Sequence, residues 1–210
     1  MSTSQHTPLV PLEAGASPDN PPCPACGEPL FGWLGPQAGL AGAVSRCESC
    51  GLGVVGGAPD PEEALRELDR RRDGEGLRVA NRASFACALG NAGWSGLAPG
   101  SRYLFTVESA RRLVARRDQV VASCHWVPGA SVMATWGTLL NSVTFGHNVA
   151  LAALGGSAVA APADKHWKRR IDALASVVLA IPAIVIAVPI ELAGGAARRG
   201  AVLRVRTQLL

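Results

Sequence analysis

The sequence contains little cysteine, six among 210 residues, which is too sparse for a fold held together by disulfide bonds. Its first 22 residues lack the basic start and apolar core of a secretory signal. They are rich in proline, serine and alanine, so we expect residues 1–22 to form a disordered tail. We also expect a cytoplasmic location, because thiolates that bind a metal survive best in a reducing compartment.

Positive charge is almost absent from the segment that holds most of the cysteines. Between Pro21 and Gly56 the only cation is Arg46, which is accompanied by Glu28 and Glu48. Binding to nucleic acid requires cations, because contacts to phosphate dominate the affinity. We therefore do not expect this segment to bind nucleic acid, and the net charge of +4 over the whole chain does not by itself imply it.

Four of the six cysteines form two C-x-x-C pairs separated by 20 residues: Cys23, Cys26, Cys47 and Cys50. Zinc favours four sulfur ligands in a tetrahedron, and two intervening residues let a tight turn place both sulfurs of a pair on one ion. Gly27 and Gly51 follow the two pairs, and glycine permits the positive φ that such turns need. The spacing is typical of a zinc ribbon over residues 23–56 that binds one structural zinc ion. Four free thiols or a redox pair are the alternatives.

Beyond residue 56, capping residues and apolar periodicity predict short helices and strands. Asp60 is an N-cap with Pro61 at the first helical position, and Thr106 is the N-cap of a second helix. In chain order the pattern predicts a helix after Asp60, a strand at residues 77–80, a turn-rich stretch at residues 81–101, a helix after Thr106, a strand at residues 119–123, a largely helical region at residues 131–155 and a strand at residues 201–207.

The chain resembles a known family in its cysteine segment and in three later stretches. The zinc ribbon that opens many class I S-adenosylmethionine-dependent methyltransferases is similar to CPACGEPL and RCESCGLGVV. The stretch DPEEALRELDRRRDGEGLRVANRAS resembles a late helix, a glycine-rich turn and the fifth strand of that fold. The next stretch, GNAGWSGLAPGSRYLFTVESARRLVARRDQVV, resembles the part of the family that follows. The final RRGAVLRVRT resembles the last strand of the family. The resemblance implies that residues 57–130 are a small remnant of a Rossmann-like methyltransferase sheet. It also implies that Gln119–Ser123 pairs antiparallel with Val202–Thr207.

The cofactor-binding half of that family is missing from this chain. The family carries strands one to four between the ribbon and the helix that begins here at Pro61, whereas this sequence has only residues 51–60 in that place. A single βαβ unit needs about 30 residues. The run from Gly51 to Gly56 fits G-x-G-x-x-G literally, but a zinc ligand precedes it and no helix opens within it. We therefore expect no catalytic residue, no cofactor-binding residue and no binding of S-adenosylmethionine.

One segment near the C-terminus has no charged residues. Ala173–Ile190 spans roughly 18 residues, which reaches the lower length needed to cross a bilayer, and basic residues flank it on both sides. We expect Pro182 and Pro189 to interrupt its helix. The alternatives are a membrane segment at residues 173–190 and a buried helix that packs on the helical region of residues 131–155.

These patterns predict an α+β or truncated α/β fold: a zinc ribbon at residues 23–56, a methyltransferase-like remnant at residues 57–130, an apolar helical hairpin at residues 131–200 and a final strand at residues 201–210. Three functions are consistent with this order. The first is a non-catalytic methyltransferase-like protein that binds or scaffolds a protein partner, such as a paralogous methyltransferase. The second is a membrane-associated zinc-ribbon protein that contacts the membrane through residues 173–190. The third is a subunit of a S-adenosylmethionine-dependent methyltransferase that a partner chain completes.

Overall fold

The computed structural model describes residues 20–36, 40–154 and 163–209. It is a mixed α+β structure with two small antiparallel sheets, a cluster of four cysteines and one long apolar helix near the C-terminus. Most of the tail predicted at residues 1–22 lies outside the described residues, and so does the last residue of the predicted final strand.

Short connections join most of the elements. In chain order their bounds are β1 (Leu30–Leu34), β2 (Val44–Cys47), β3 (Gly53–Val55), α1 (Pro61–Asp69), β4 (Arg72–Asp73), β5 (Gly76–Ala80), α2 (Phe85–Gly90), β6 (Tyr103–Leu104), α3 (Val107–Ala115), β7 (Gln119–Trp126), α4 (Pro128–Asn141), α5 (Val149–Ala153), α6 (His166–Ala196) and β8 (Val202–Leu209). The stretch at residues 81–101, predicted to be turn-rich, therefore contains the short helix α2. Ser84 caps that helix by accepting a hydrogen bond from the Cys87 backbone N–H at 3.1 Å.

The first turns of α1 and α3 form as their sequences predict. Asp60 caps α1 by accepting a hydrogen bond from the Glu62 backbone N–H at 3.0 Å, and Pro61 occupies the first helical position. Thr106 caps α3 by accepting a hydrogen bond from the Ser109 backbone N–H at 3.1 Å. The Ser109 hydroxyl accepts one in return from the Thr106 N–H at 2.9 Å, which completes a reciprocal cap.

The first sheet contains β1, β2, β3 and β6 in that order, and each paired strand is antiparallel to its neighbour. Three of these strands come from the predicted ribbon. The fourth is contributed by Tyr103 and Leu104, which pair with Val54 and Gly53 of β3. A Cβ added at Gly53 would lie 3.0 Å from the Leu104 Cβ, so glycine permits the close approach of the two strands. This pairing joins the cysteine segment to the middle of the chain.

The second sheet contains β4, β5, β8 and β7 in that order, and β8 is antiparallel to both of its neighbours. The antiparallel pairing predicted between Gln119–Ser123 and Val202–Thr207 is confirmed. Alternation along β8 fixes its register, because Leu203 and Val205 are buried in the core while Arg204 points to the other face. As a consequence, β5 and β7 run parallel to each other on either side of β8.

The helical region predicted at residues 131–155 forms two helices, and the first of them packs on α6. Trp136 and Leu140 of α4 share an apolar cluster with Ala183 and Ala187 of α6. The small alanines let the two helices approach closely. One face of α6 is therefore covered by α4.

Two buried carboxylates fasten α6 near both ends of its uncharged stretch. Asp172 accepts hydrogen bonds from the two backbone N–H groups of residues 145–146, at 2.7 and 2.9 Å. Glu191 is fully buried and accepts hydrogen bonds from the Thr135 hydroxyl at 2.5 Å and from the Ala201 N–H at 3.0 Å. These bonds fix one face of α6 against the protein and leave the opposite face outward.

Pro182 and Pro189 do not interrupt α6, which is continuous from His166 to Ala196, so that expectation was wrong. Each proline removes only one backbone donor from a helix of 31 residues. The packing on α4 and the two carboxylate contacts supply enough tertiary support for the helix to continue through both positions.

The variant Glu191→Ala is expected to destabilise the fold by about 3 kcal/mol, because it leaves two buried donors without an acceptor and opens a cavity. Thermal unfolding of the full chain in mild detergent measures this loss. Leu192→Ala is the matched control, since the neighbouring side chain is 58% exposed. Equal losses in the two variants would show that Glu191 does not fasten the helix.

Candidate metal centre

Each C-x-x-C pair forms a tight turn that is closed by the glycine after it. The Gly27 N–H donates to the Cys23 carbonyl at 2.8 Å, and the Gly51 N–H donates to the Cys47 carbonyl at 3.0 Å. The two glycines have φ values of +82° and +74°, which are strained for other residues. The prediction made for both glycines is confirmed, and the two turns share one backbone pattern.

The two turns bring all four predicted ligands together. The Sγ atoms of Cys23, Cys26, Cys47 and Cys50 all lie within 4.8 Å of one another. The Cys23 and Cys50 sulfurs are 3.6 Å apart, and the Cys26 and Cys47 sulfurs are 3.4 Å apart. Sulfurs bound to a tetrahedral zinc ion at about 2.3 Å lie about 3.8 Å from one another. The cluster therefore has the donor set and the size for a metal ion such as zinc.

Because the sulfurs lie so close together, the thiols of the cluster have different pKa values. A hydrogen bond from the Cys50 thiol lowers the pKa of Cys23 to about 5. The Cys50 thiol keeps the proton that it shares with Cys23, so the pKa of Cys50 is raised. Burial raises the pKa of Cys26. Neutral pH therefore favours a thiolate at Cys23 beside protonated thiols at Cys26 and Cys50. A metal ion that binds these sulfurs would displace the two protons.

Side chains from later segments hold the second turn in place. The Thr106 hydroxyl donates to the Cys50 carbonyl at 2.6 Å, and the Arg82 Nε donates to the Gly51 carbonyl. A Cβ added at Gly51 would lie 2.8 Å from the Thr106 Cγ2, so no larger residue fits there. The Arg82 guanidinium also lies over the Trp33 ring, 5.1 Å from its centre. These supporting residues were missed in the sequence, where Thr106 is visible only as a helix cap and Arg82 carries no recognisable pattern.

The variant Thr106→Ala is expected to destabilise the fold by about 2 kcal/mol, because it removes the cap of α3 and the bond to the Cys50 carbonyl together. Urea unfolding followed by tryptophan fluorescence measures the change. Thr106→Ser keeps the hydroxyl and is expected to retain most of the stability. If the serine variant lost as much as the alanine variant, the hydroxyl would have no role in joining α3 to the cluster.

The two remaining cysteines lie outside the cluster. Burial raises the pKa of Cys87 to about 12, so this thiol stays protonated. Cys124 is exposed on β7, and its neighbour His125 contacts the Ser123 hydroxyl through Nε2 at 3.0 Å. Within residues 20–36, 40–154 and 163–209, no second group of three or more potential metal ligands lies close together.

Helix α6 forms the second candidate site. By length and composition it is able to cross a membrane, and its most apolar 18-residue window has a mean hydropathy of 2.6. Only 11% of that window is buried in the protein, whereas the core helix of a soluble protein is mostly buried. The helix therefore presents an apolar surface to its surroundings.

The fold and these two sites define a mixed α+β protein with a four-cysteine cluster and one helix long and apolar enough to cross a membrane. Comparison of this chain with family models, curated proteins and solved structures finds no match. Its function must therefore be inferred from the geometry of the two sites.

Proposed function

We propose that this chain is a membrane-associated zinc-ribbon protein that acts as a non-catalytic binding or scaffold module. The observation that carries the proposal is a row of large apolar side chains along the outward face of α6, each between 41% and 74% exposed. The members of this apolar row follow one another at alternating spacings of four and three residues: Trp167, Ile171, Leu174, Val178, Ile181, Val185, Val188 and Leu192.

Spacings of four and three residues place all of these side chains on one face of a helix. Leaving eight such side chains in water costs on the order of 10 kcal/mol relative to full burial. Exposed apolar surfaces of this extent mark contact with lipid or with another protein. Flanking Val177 and Ile186 are also apolar and exposed, and no charged residue occurs between Ala173 and Ile190, so charges do not border this central part of the row as they do in a coiled coil. Lipid is therefore the favoured surrounding.

The N-terminal end of α6 has the composition of a membrane interface. The Phe145 and Trp167 rings meet edge to face, with their centres 5.7 Å apart. The Lys168 ammonium lies over the Phe145 ring at 5.2 Å. Aromatic rings and lysine side chains with apolar stems are typical of the level of the lipid headgroups.

The pairing of β7 with β8 limits how the hairpin can enter a bilayer. These two strands flank the hairpin in the chain, and they lie side by side in one sheet. Both ends of the hairpin must therefore remain on one side of the membrane. We accordingly propose insertion from one side, with the cysteine cluster held near the cytoplasmic face, where its thiolates stay reduced.

Fractionation of cells that express the full chain tests membrane association. We expect the protein in the membrane pellet, and we expect it to stay there after a wash in high salt, because apolar contact is not screened by ions. Recovery of a monomeric chain in the soluble fraction would contradict the proposal. Recovery of a soluble dimer would assign the apolar row to a second copy instead.

For the cluster we propose a single zinc ion with a structural role. Four sulfur ligands leave no open position for a substrate or a water, which is typical of structural zinc and not of catalytic zinc. Three strands of the first sheet, two tight turns and the start of α3 surround the four sulfurs. The ion would hold together a segment whose own apolar core is small.

A second candidate is the relationship to class I methyltransferases. The confirmed antiparallel pairing of the last two strands supports it, and so do the helix caps at Asp60 and Thr106, where the resemblance places helix starts. Only residues 51–60 separate the last cysteine of the cluster from α1, and they hold β3 and a turn instead of a cofactor loop. The chain would then be a non-catalytic relative that binds a protein partner such as a paralogous methyltransferase, or a subunit that a partner chain completes.

Titration calorimetry of the purified chain with S-adenosylmethionine distinguishes these functions. We expect no saturable binding, with any residual affinity at about millimolar or weaker, because the described residues place no glycine-rich loop and no acidic residue to hold the cofactor. Binding that appears only after a partner chain is added would favour the subunit function. Saturable binding of the chain alone at micromolar cofactor would make an enzyme the better assignment.

A further inference from the structure

The apolar row of α6 leads into an open cleft at the C-terminal end of the helix. Gly195 follows Leu192 by three residues, which continues the spacing of the row, and it lines a cleft of about 640 Å³. The other walls of the cleft come from α3, from β7, from Leu203 of β8 and from Arg198 beyond the end of α6. The Trp126 ring packs against Gly195 so closely that a Cβ added there would lie 2.6 Å from the ring. Glycine is therefore required where the row meets the cleft.

The cleft is lined by cationic and neutral groups. Arg198, Arg111 and His125 contribute to its walls, and none of the described residues that line it carries a carboxylate. The Arg198 guanidinium has no hydrogen-bond or ion-pair partner among the described residues. Arg111 pairs with Glu108 at 3.1 Å, but its side chain is 59% exposed and keeps further donors free. The cleft therefore favours an anion.

We propose that this cleft binds the phosphate of an anionic phospholipid whose acyl chains lie along the apolar row. This proposal rests on the membrane association of α6. Guanidinium groups recognise phosphate through paired, charge-assisted hydrogen bonds. A phosphate that is joined to two apolar chains matches a cationic cleft that is continuous with an exposed apolar face, whereas free inorganic phosphate would use only the cleft.

Flotation of the purified full chain with vesicles tests the site. One set of vesicles contains neutral phosphatidylcholine, and the other contains phosphatidylcholine with phosphatidylglycerol. We expect tighter binding to the anionic set, and we expect Arg198→Asn and Arg111→Gln each to weaken that binding about fivefold. Asparagine is chosen because Arg198 has a φ of +57°, a conformation that asparagine tolerates.

Arg116→Gln is the matched control, because it removes an exposed cation at the C-terminal cap of α3 that does not line the cleft. We expect this variant to bind like the native chain, and circular dichroism checks that all variants are folded. Equal binding to both vesicle sets, or equal losses in all three variants, would overturn the phosphate site and leave membrane association intact. Absence of binding to any vesicle would overturn both proposals. Calorimetric binding of inorganic phosphate that depends on Arg198, without a preference for anionic vesicles, would assign the cleft to a free anion.

Discussion

The double variant Ile181→Asp and Val185→Asp is expected to move the protein from the membrane pellet to the soluble fraction. The two native side chains are 74% and 65% exposed and lie in the middle of the apolar row, so the substitutions leave the packed face of α6 intact. A charged side chain at mid-depth in a bilayer costs about 2.5 kcal/mol or more. Two such charges lower the partition into membrane by roughly a thousandfold. Quantitative immunoblotting of the two fractions measures the shift.

Leu89→Asp is the matched control for that experiment. Leu89 lies on α2 and is 62% exposed, so it places the same carboxylate on an equally exposed apolar residue outside the row. We expect this variant to remain in the membrane pellet. If it were released as readily as the double variant, the apolar row would not be the membrane-binding surface. If the double variant stayed in the pellet, the protein would be held there by another part of the chain.

The variant Cys47→Ser is expected to unfold the first sheet locally and to abolish stoichiometric metal binding. Cys47 is fully buried, and its backbone N–H donates to the Leu52 carbonyl within the second turn. A serine hydroxyl is a poor zinc ligand, and a structural site loses most of its affinity with one of its four thiolates. The binding free energy of structural zinc, on the order of 10 kcal/mol, is also folding free energy. Limited proteolysis should therefore cleave the variant between residues 23 and 56.

Cys124→Ser provides the control for the loss of a thiol. Cys124 is exposed on β7 and lies outside the cluster, so we expect the variant to keep its metal and its resistance to protease. Protease resistance in Cys47→Ser equal to that of the native chain would show that the first sheet folds without the ion.

Most of the features that the sequence predicted correctly depend on contacts between near neighbours. The C-x-x-C spacing with a following glycine determines each tight turn, and the side chains of Asp60 and Thr106 determine where two helices begin. The pairing of β7 with β8 is a longer-range contact. It was predicted because both strands have compatible lengths and alternation, and because the resemblance implies the same order.

Three other features, which depend on contacts between distant segments, were not predicted from the sequence. The two residues of β6 are too short to show a strand pattern, and they pair with β3 only because the folded chain brings them together. The support of the Cys50 carbonyl by Thr106 depends on the same approach. The continuity of α6 through Pro182 and Pro189 depends on packing against α4, and proline alone argues for a break. Sequence patterns report the local conformational preferences of the chain, whereas these three features depend on tertiary contacts.

The four clustered cysteines are proposed to hold one structural metal ion. Elemental analysis of the full chain, purified without a chelator, measures whether they do. We predict about one zinc ion per native chain and a large loss in Cys47→Ser. A folded native chain that contains no zinc or other transition metal would contradict this prediction and would show that the four cysteines are free thiols.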